Sequence, residues 1–138
     1  MQTMSTLLAH VTIKPGLEDH WESIARRVFA STHDNESGCN RYEYWRGSNE
    51  RTYYVLLSFK SFDDFMIHQV ADYHHNTDFG DCFESFRLEW VDPIKGASPL
   101  NPSQTSGDID SSKGELWNQY VSNHSTEIPV WWLPLRNE

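Results

Sequence analysis

The chain has 138 residues, 38% of them hydrophobic and 14% aromatic, which is enough for one domain with a single core. Twenty acids against eleven bases give a formal charge of −9, a balance that repels phosphate backbones and anionic lipid, so nucleic acid and membrane surfaces are not expected as partners. No apolar run approaches the ~20 residues of a membrane span, and two cysteines, Cys39 and Cys82, are too few for a disulfide scaffold.

The opening "MQTMSTLLAHVTIKPG" carries no basic region and no small-residue cleavage site, so no signal peptide is expected and a cytoplasmic, reduced protein is the simplest fit. Within it, residues 5–14 alternate apolar and β-branched positions and stop at Pro15-Gly16, which predicts a strand and a turn. In "LEDHWESIARRVFASTHD", Leu17, Trp21, Ile24, Ala25, Val28 and Phe29 share one stripe, so an amphipathic helix follows. Glu18 and Asp19 occupy its first turn, where the helix dipole favours acids. "NESG" ends it, with Gly38 expected in a left-handed conformation. "CNRYEYWRG" predicts a second strand with Asn40, Tyr42 and Tyr44 on one face and Arg41, Glu43 and Trp45 on the other. The turn "GSNE" leads to a third strand, "RTYYVLLSFK", and the short connection makes an antiparallel hairpin. Ser61 reads as the cap of a second helix, with Asp64 three residues on. "FRLEWVDPI", residues 86–94, predicts a fourth strand.

This order is β-α-β-β-α-β, the ferredoxin-like α+β arrangement of a four-stranded antiparallel sheet with two helices on one face. The other face is left bare and apolar, and a homodimer through that face is expected. Residues 1–94 form this domain. Residues 95–138 form a C-terminal extension: an irregular Ser-, Pro- and Gly-rich arm to 114, a short helix over 115–125, and the tail "EIPVWWLPLRNE". Two adjacent tryptophans in that tail predict that it docks, on its own helices, on a partner subunit or over a pocket mouth.

The densest chemistry lies in "FDDFMIHQVADYHH", residues 62–75. Read as one helix, it turns Phe62, Phe65, Met66, Gln69, Val70 and Tyr73 inward, while Asp64, His68, Asp72 and His75 form a second stripe more than 90° away. A solvated stripe of His–Asp pairs is one reading. The other is that its edge reaches a pocket and supplies a general base, His68 first and His74 as an alternative. His68 and Asp72 provide at most two metal ligands, and no further Glu or Cys ligand stands at a metal-like spacing, so no metal is expected. His10 stands inside an apolar strand, either as a hydrogen-bonded core residue or as a pocket residue. Tyr42, Tyr44 and Tyr54 on the hairpin are core, interface or the walls of a flat pocket. Arg41 and Arg46 balance an anionic oxygen there or pair with Glu43 at the surface. No phosphate loop, dinucleotide fingerprint or nucleophile elbow is present, in keeping with an enzyme that needs no cofactor.

Taken together, "LLAHVTIKPG", "ESGCNRYEYWRG", "YYVLLSFKSFDDFMIHQ" and the following "HH" resemble the antibiotic biosynthesis monooxygenase family over roughly residues 5–94. The resemblance implies a dimeric ferredoxin-like fold with its site between helices and sheet. It also implies oxidation of quinols or phenolic polyketides by molecular oxygen without metal or flavin, although other members degrade haem or isomerise small sugar-derived metabolites. His68 matches the family's helical histidine. Phe59 stands where many members carry tryptophan, and the extension goes beyond the usual domain. The expected function is a cofactor-independent monooxygenase acting on a small aromatic substrate, with His68, His10 and His74 as catalytic candidates. Tyr42, Tyr44, Tyr54, Phe59, Phe65 and Arg41 are the substrate-binding candidates. The competing readings are a non-oxidative isomerase or cyclase and a haem- or small-molecule-binding protein.

Overall fold

Strand β1, Ser5–Ile13, places Leu7, Ala9, Val11 and Ile13 on one face, all buried, and Leu8, His10 and Thr12 on the other. A computed structural model describes this chain over residues 2–136; Met1 of the expected domain and Asn137 and Glu138 of the expected tail lie outside the described residues. Helix α1, Glu18–Asn35, follows the turn at Gly16 and buries Trp21, Ile24, Ala25 and Val28. Strands β2, Cys39–Arg46, and β3, Thr52–Phe59, form the expected hairpin. Strand β4, Phe83–Trp90, completes an antiparallel sheet in the order β2-β3-β1-β4. Leu7 lies between Leu57 and Trp90, and Ala9 between Val55 and Leu88, so the face toward the helices is continuous across strands. The fold is the ferredoxin-like α+β arrangement.

Several local expectations are corrected. Gly38 does not adopt a left-handed conformation. It is glycine because a Cβ there would stand 2.3 Å from the Asp64 carboxyl carbon, and that carboxylate is fixed by Ser61. Ser61 does cap the second helix, its Oγ accepting from the Asp64 amide at 3.1 Å. The fourth strand begins at Phe83, not at residue 86, because Cys82 already hands its carbonyl to the Lys14 amide and Phe83 pairs with Ile13. It ends at Trp90, since Asp92 turns away to accept from the Ser103 amide at 2.8 Å.

The largest correction concerns residues 62–75. They form two helices, α2, Phe62–Val70, and α3, Asp72–His75, separated at Ala71, whose ψ of 136° is extended. The single stripe of Asp64, His68, Asp72 and His75 is therefore broken. A further short helix, α4, Phe79–Cys82, leads into β4.

The extension is fastened to the rest. Ser103 Oγ donates to the Val91 carbonyl at 2.6 Å, and the Phe62 amide donates to Gln104 Oε1 at 3.3 Å. Helix α5, Glu115–His124, buries Trp117 and Val121 and packs on α2 of its own chain. The tail ends in helix α6, Leu133–Arg136, and is held by Arg136, whose Nε and Nη2 grip Asp92 at 2.8 and 2.7 Å. Within one chain Val130 remains 80% and Trp131 69% exposed.

Gly107 is the tightest point of this docking: a Cβ there would lie 2.4 Å from the ring of Phe62, which is fully buried. Gly107→Ala is expected to destabilise the chain by about 1–3 kcal/mol through overpacking. Urea denaturation measures it, and an unchanged midpoint would show that the extension can lift off without cost.

Candidate active site

Between the helix-facing side of the sheet and the helices lies a cavity of about 300 Å³. Its sheet wall is Ala9, Tyr42, Tyr44, Val55, Leu57 and Leu88. Trp21 of α1 and Phe79, Phe83 and Phe86 from the α4–β4 stretch form the aromatic end. The polar end holds Gln69, His74 and His75 from α2 and α3, and Tyr120 and His124 from α5. The volume is at the small end for ligand pockets.

The polar groups have definite roles. His74 Nδ1 lies 3.3 Å from the Gln69 carbonyl, one of the acceptors left over at the end of α2, so Nδ1 carries the proton. Its Nε2 is then an acceptor. Burial, with the adjacent His68 ring, lowers the His74 pKa to about 3, and the ring is neutral at ordinary pH. Gln69 Nε2 donates to His124 Nε2 at 2.9 Å, which leaves the His124 proton on Nδ1; burial lowers this pKa too. The hydroxyls of Tyr42 and Tyr44 bond to each other, and burial pushes both phenols above their ordinary range. Trp21 is buried, and its indole Nε1–H has no acceptor among the described residues.

Behind this wall sits a second cluster. His68 is fully buried, with Nδ1 3.0 Å from Glu36 Oε2, which also accepts the Tyr73 hydroxyl. Its ring packs on Tyr42, Phe59 and His74 at centroid distances of 4.8, 5.1 and 4.5 Å. Glu36 Oε1 and His68 Nε2 lack partners among the described residues. Next to it, burial and then the charge of Glu36 raise the Cys39 thiol to about 11.

His74, Tyr42 and Tyr44 therefore border the cavity, and the other candidates do not. His68 stands one layer behind, buried against the end of α1, so the solvated-stripe reading of it is overturned. Phe59 and Phe65 are core residues stacked at 5.6 Å. His10, Tyr54 and Arg41 are on the opposite face of the sheet. There His10 Nε2 lies 3.0 Å from Glu89, its ring meets Tyr54 edge-on at 5.7 Å, and exposed Arg41 pairs with Glu43 at 3.3 Å. Arg46 bonds Glu22 of α1, which lowers that carboxyl to about 2. Glu36, Tyr120 and His124 escaped the sequence reading. Tyr120 and His124 lie on the short helix expected over 115–125, but nothing in the sequence aimed either side of that helix at the cavity. Among the described residues, no group of three or more His, Cys, Asp and Glu side chains is placed to hold a metal ion. No helix among them is long and apolar enough to cross a membrane.

Comparison with known proteins defines the class. The family model for antibiotic biosynthesis monooxygenases matches residues 4–78, and the chain belongs to that family. A Caulobacter crescentus protein provisionally assigned to the same family is 25% identical with a TM-score of 0.63, over 67% of this chain and 92% of its own. A Shewanella oneidensis protein is 22% identical (TM-score 0.60, 66% of this chain and 91% of its own). A Mycobacterium tuberculosis protein is 14% identical (TM-score 0.63, 70% and 100%). These last two share the fold. No functionally curated protein matches.

The His74 assignment has a pH consequence. Unfolded, the ring titrates near its ordinary 6.5; folded, near 3. Between those values the unfolded chain binds more protons, so stability should fall as pH drops from 6.5 toward 3. His124, shifted in the same direction, adds to the loss. His74→Phe should flatten the slope of urea midpoint against pH between 6.5 and 4; an identical slope would mean that the ring is hydrated and titrates freely.

Proposed function

We propose that the chain is a cofactor-independent oxygenase of small, electron-rich aromatic substrates, with His74 as the base. The observation that carries this reading is a neutral imidazole, with Nε2 unspent, in the wall of a cavity otherwise built largely from aromatic and aliphatic side chains. A phenol or enol seated there gives its proton to His74. Burial sets that low pKa, and an anionic substrate beside the ring offsets the cost of charging it. The resulting anion is electron-rich enough to reduce oxygen itself. With an anthrone, whose enol is the acid, one oxygen atom of O₂ becomes the carbonyl at the ring CH₂ carbon, the other leaves as water with the two hydrogens of that carbon, and the same carbon supplies all four electrons. The protein's part is to orient, deprotonate and desolvate. His68 and Glu36 hold the layer behind His74.

The test is oxygen uptake in an electrode cell with anthrones, quinols and simple phenols as probes. Uptake with at least one class is expected, and His74→Ala should reduce it about 10²- to 10⁴-fold. The presence of a second imidazole, His124, in the same cavity favours an alternative, a non-oxidative isomerase that moves a proton between two carbons. Substrate conversion without oxygen uptake would select that alternative.

We further propose a homodimer through the open sheet face. That face carries Trp45, 58% exposed, beside Tyr54, with Leu8 and Leu56 half-buried between charged flanks. It is less apolar than the sequence pattern implied, and the aromatic strip is its centre. Light scattering at micromolar concentration is expected to give the dimer mass, and Trp45→Asp to give the monomer; a monomeric wild-type chain contradicts the proposal.

A further inference from the structure

The family match ends at residue 78, and the solved relatives described above cover two-thirds to seven-tenths of this chain while being nearly complete themselves. His124 and Tyr120 belong to α5, far beyond that match, yet they border the cavity. Their placement is well supported. Trp117 and Val121 bury the inner side of α5, Phe65 meets the His124 ring at 5.1 Å, and Trp90 Nε1 donates to the His124 carbonyl at 3.0 Å. The Tyr120 hydroxyl and His75 Nδ1 are hydrogen-bonded at 2.7 Å.

The residue that organises the polar end is Gln69. Its carbonyl takes the Nδ1 proton of His74, at 3.3 Å, and its side-chain amide donates to Nε2 of His124, at 2.9 Å. One residue thus fixes two neutral imidazoles in opposite senses. His74 keeps an unspent acceptor, and His124 keeps an unspent Nδ1–H donor. A hydroxyl recognised by the first leaves the second with nothing to bond unless the ligand also carries an acceptor. His124 is half-buried, and a ligand seated in the cavity shuts water off from it; a polar group covered and left unmatched in this way costs binding energy, which is how such a site discriminates.

We propose that His124, supplied by the C-terminal extension, is a specificity-determining residue that donates a hydrogen bond to a carbonyl oxygen of the ligand. The substrate class is then an aromatic bearing both an acidic hydroxyl and a ketone or quinone oxygen. This rests on the reading of the cavity as the substrate site, and it assigns to the extension a function that residues 4–78 do not contain.

A matched pair of bicyclic phenols tests it by equilibrium binding in the absence of oxygen. 6-Hydroxy-1-tetralone carries the hydroxyl and the carbonyl; 5,6,7,8-tetrahydro-2-naphthol is the same skeleton without the carbonyl. Calorimetric titration of the full chain should show the ketone bound about tenfold tighter or more, the factor for one matched hydrogen bond. His124→Phe should bring the ratio close to one while the phenol still binds, which shows the cavity intact. His124→Gln, which restores an N–H donor, should recover part of the preference. Nitrogen-15 spectra of wild-type histidine read the same assignment without a variant: His124 Nδ1 should be protonated in the free protein and should shift on adding the ketone alone. The proposal is overturned if wild type binds neither compound or both equally. It is also overturned if His124→Phe keeps the preference, or if Trp21→Phe erases it with His124 in place. A chain that passes these tests but consumes no oxygen with any probe overturns the oxygenase reading and leaves His124 assigned.

Discussion

Glu36 leaves the last turn of α1 and carries its carboxylate into the interior, where Oε2 accepts from His68 of α2 and from Tyr73 of α3. Its side chain is only 4% exposed. Three helices therefore meet on one oxygen atom. A buried carboxylate is costly unless its partners hold it well, and removing one partner leaves the rest stranded. This makes the junction demanding of geometry. The His68 ring is pinned against Tyr42 and Phe59, and His74 is pinned against His68 in turn. The His74 imidazole in the cavity wall inherits its position from a carboxylate that does not line the cavity.

The framework was legible because its signals are local and periodic. Alternation in residues 5–14 separated the two faces of β1, though not which of them the helices cover, and the stripe from Leu17 to Phe29 gave α1. Ser61 and Asp64 announced a helix start that needs no tertiary context. The site was less legible because each decisive contact joins distant residues. Val70-Ala71-Asp72 contains no glycine or proline, so nothing in the sequence marked the break that turns His74 inward. That break persists because the freed carbonyl of Gln69 finds the His74 ring. A helical wheel left His68 between a solvated stripe and a pocket edge, since the wheel cannot know that Glu36, 32 residues earlier, closes over that side.

The extension shows the same limit from another direction. Its composition reads as an irregular arm, yet the segment from 98 to 106 is stitched to the domain by Ser103, whose Oγ donates to the Val91 carbonyl, and by Gln104, whose Oε1 accepts from the Phe62 amide and whose carbonyl accepts from the Ser5 hydroxyl, bonds that leave no periodic trace. Tyr120 and His124 are four apart on α5, so one helical face delivers both to the cavity. A shared fold with an added wall is a direct route from a common scaffold to a particular ligand.

Cys39 lies beside the same Glu36 carboxylate, and burial together with that negative charge raises its thiol to about 11. At pH 7 only about one molecule in 10⁴ then carries a thiolate there. Quinones are electrophiles that arylate thiolates and spare thiols. Under the oxygenase reading proposed above, a quinone product would form close to this cysteine without capturing it: the carboxylate that braces His68 also keeps the nearest sulfur a poor nucleophile.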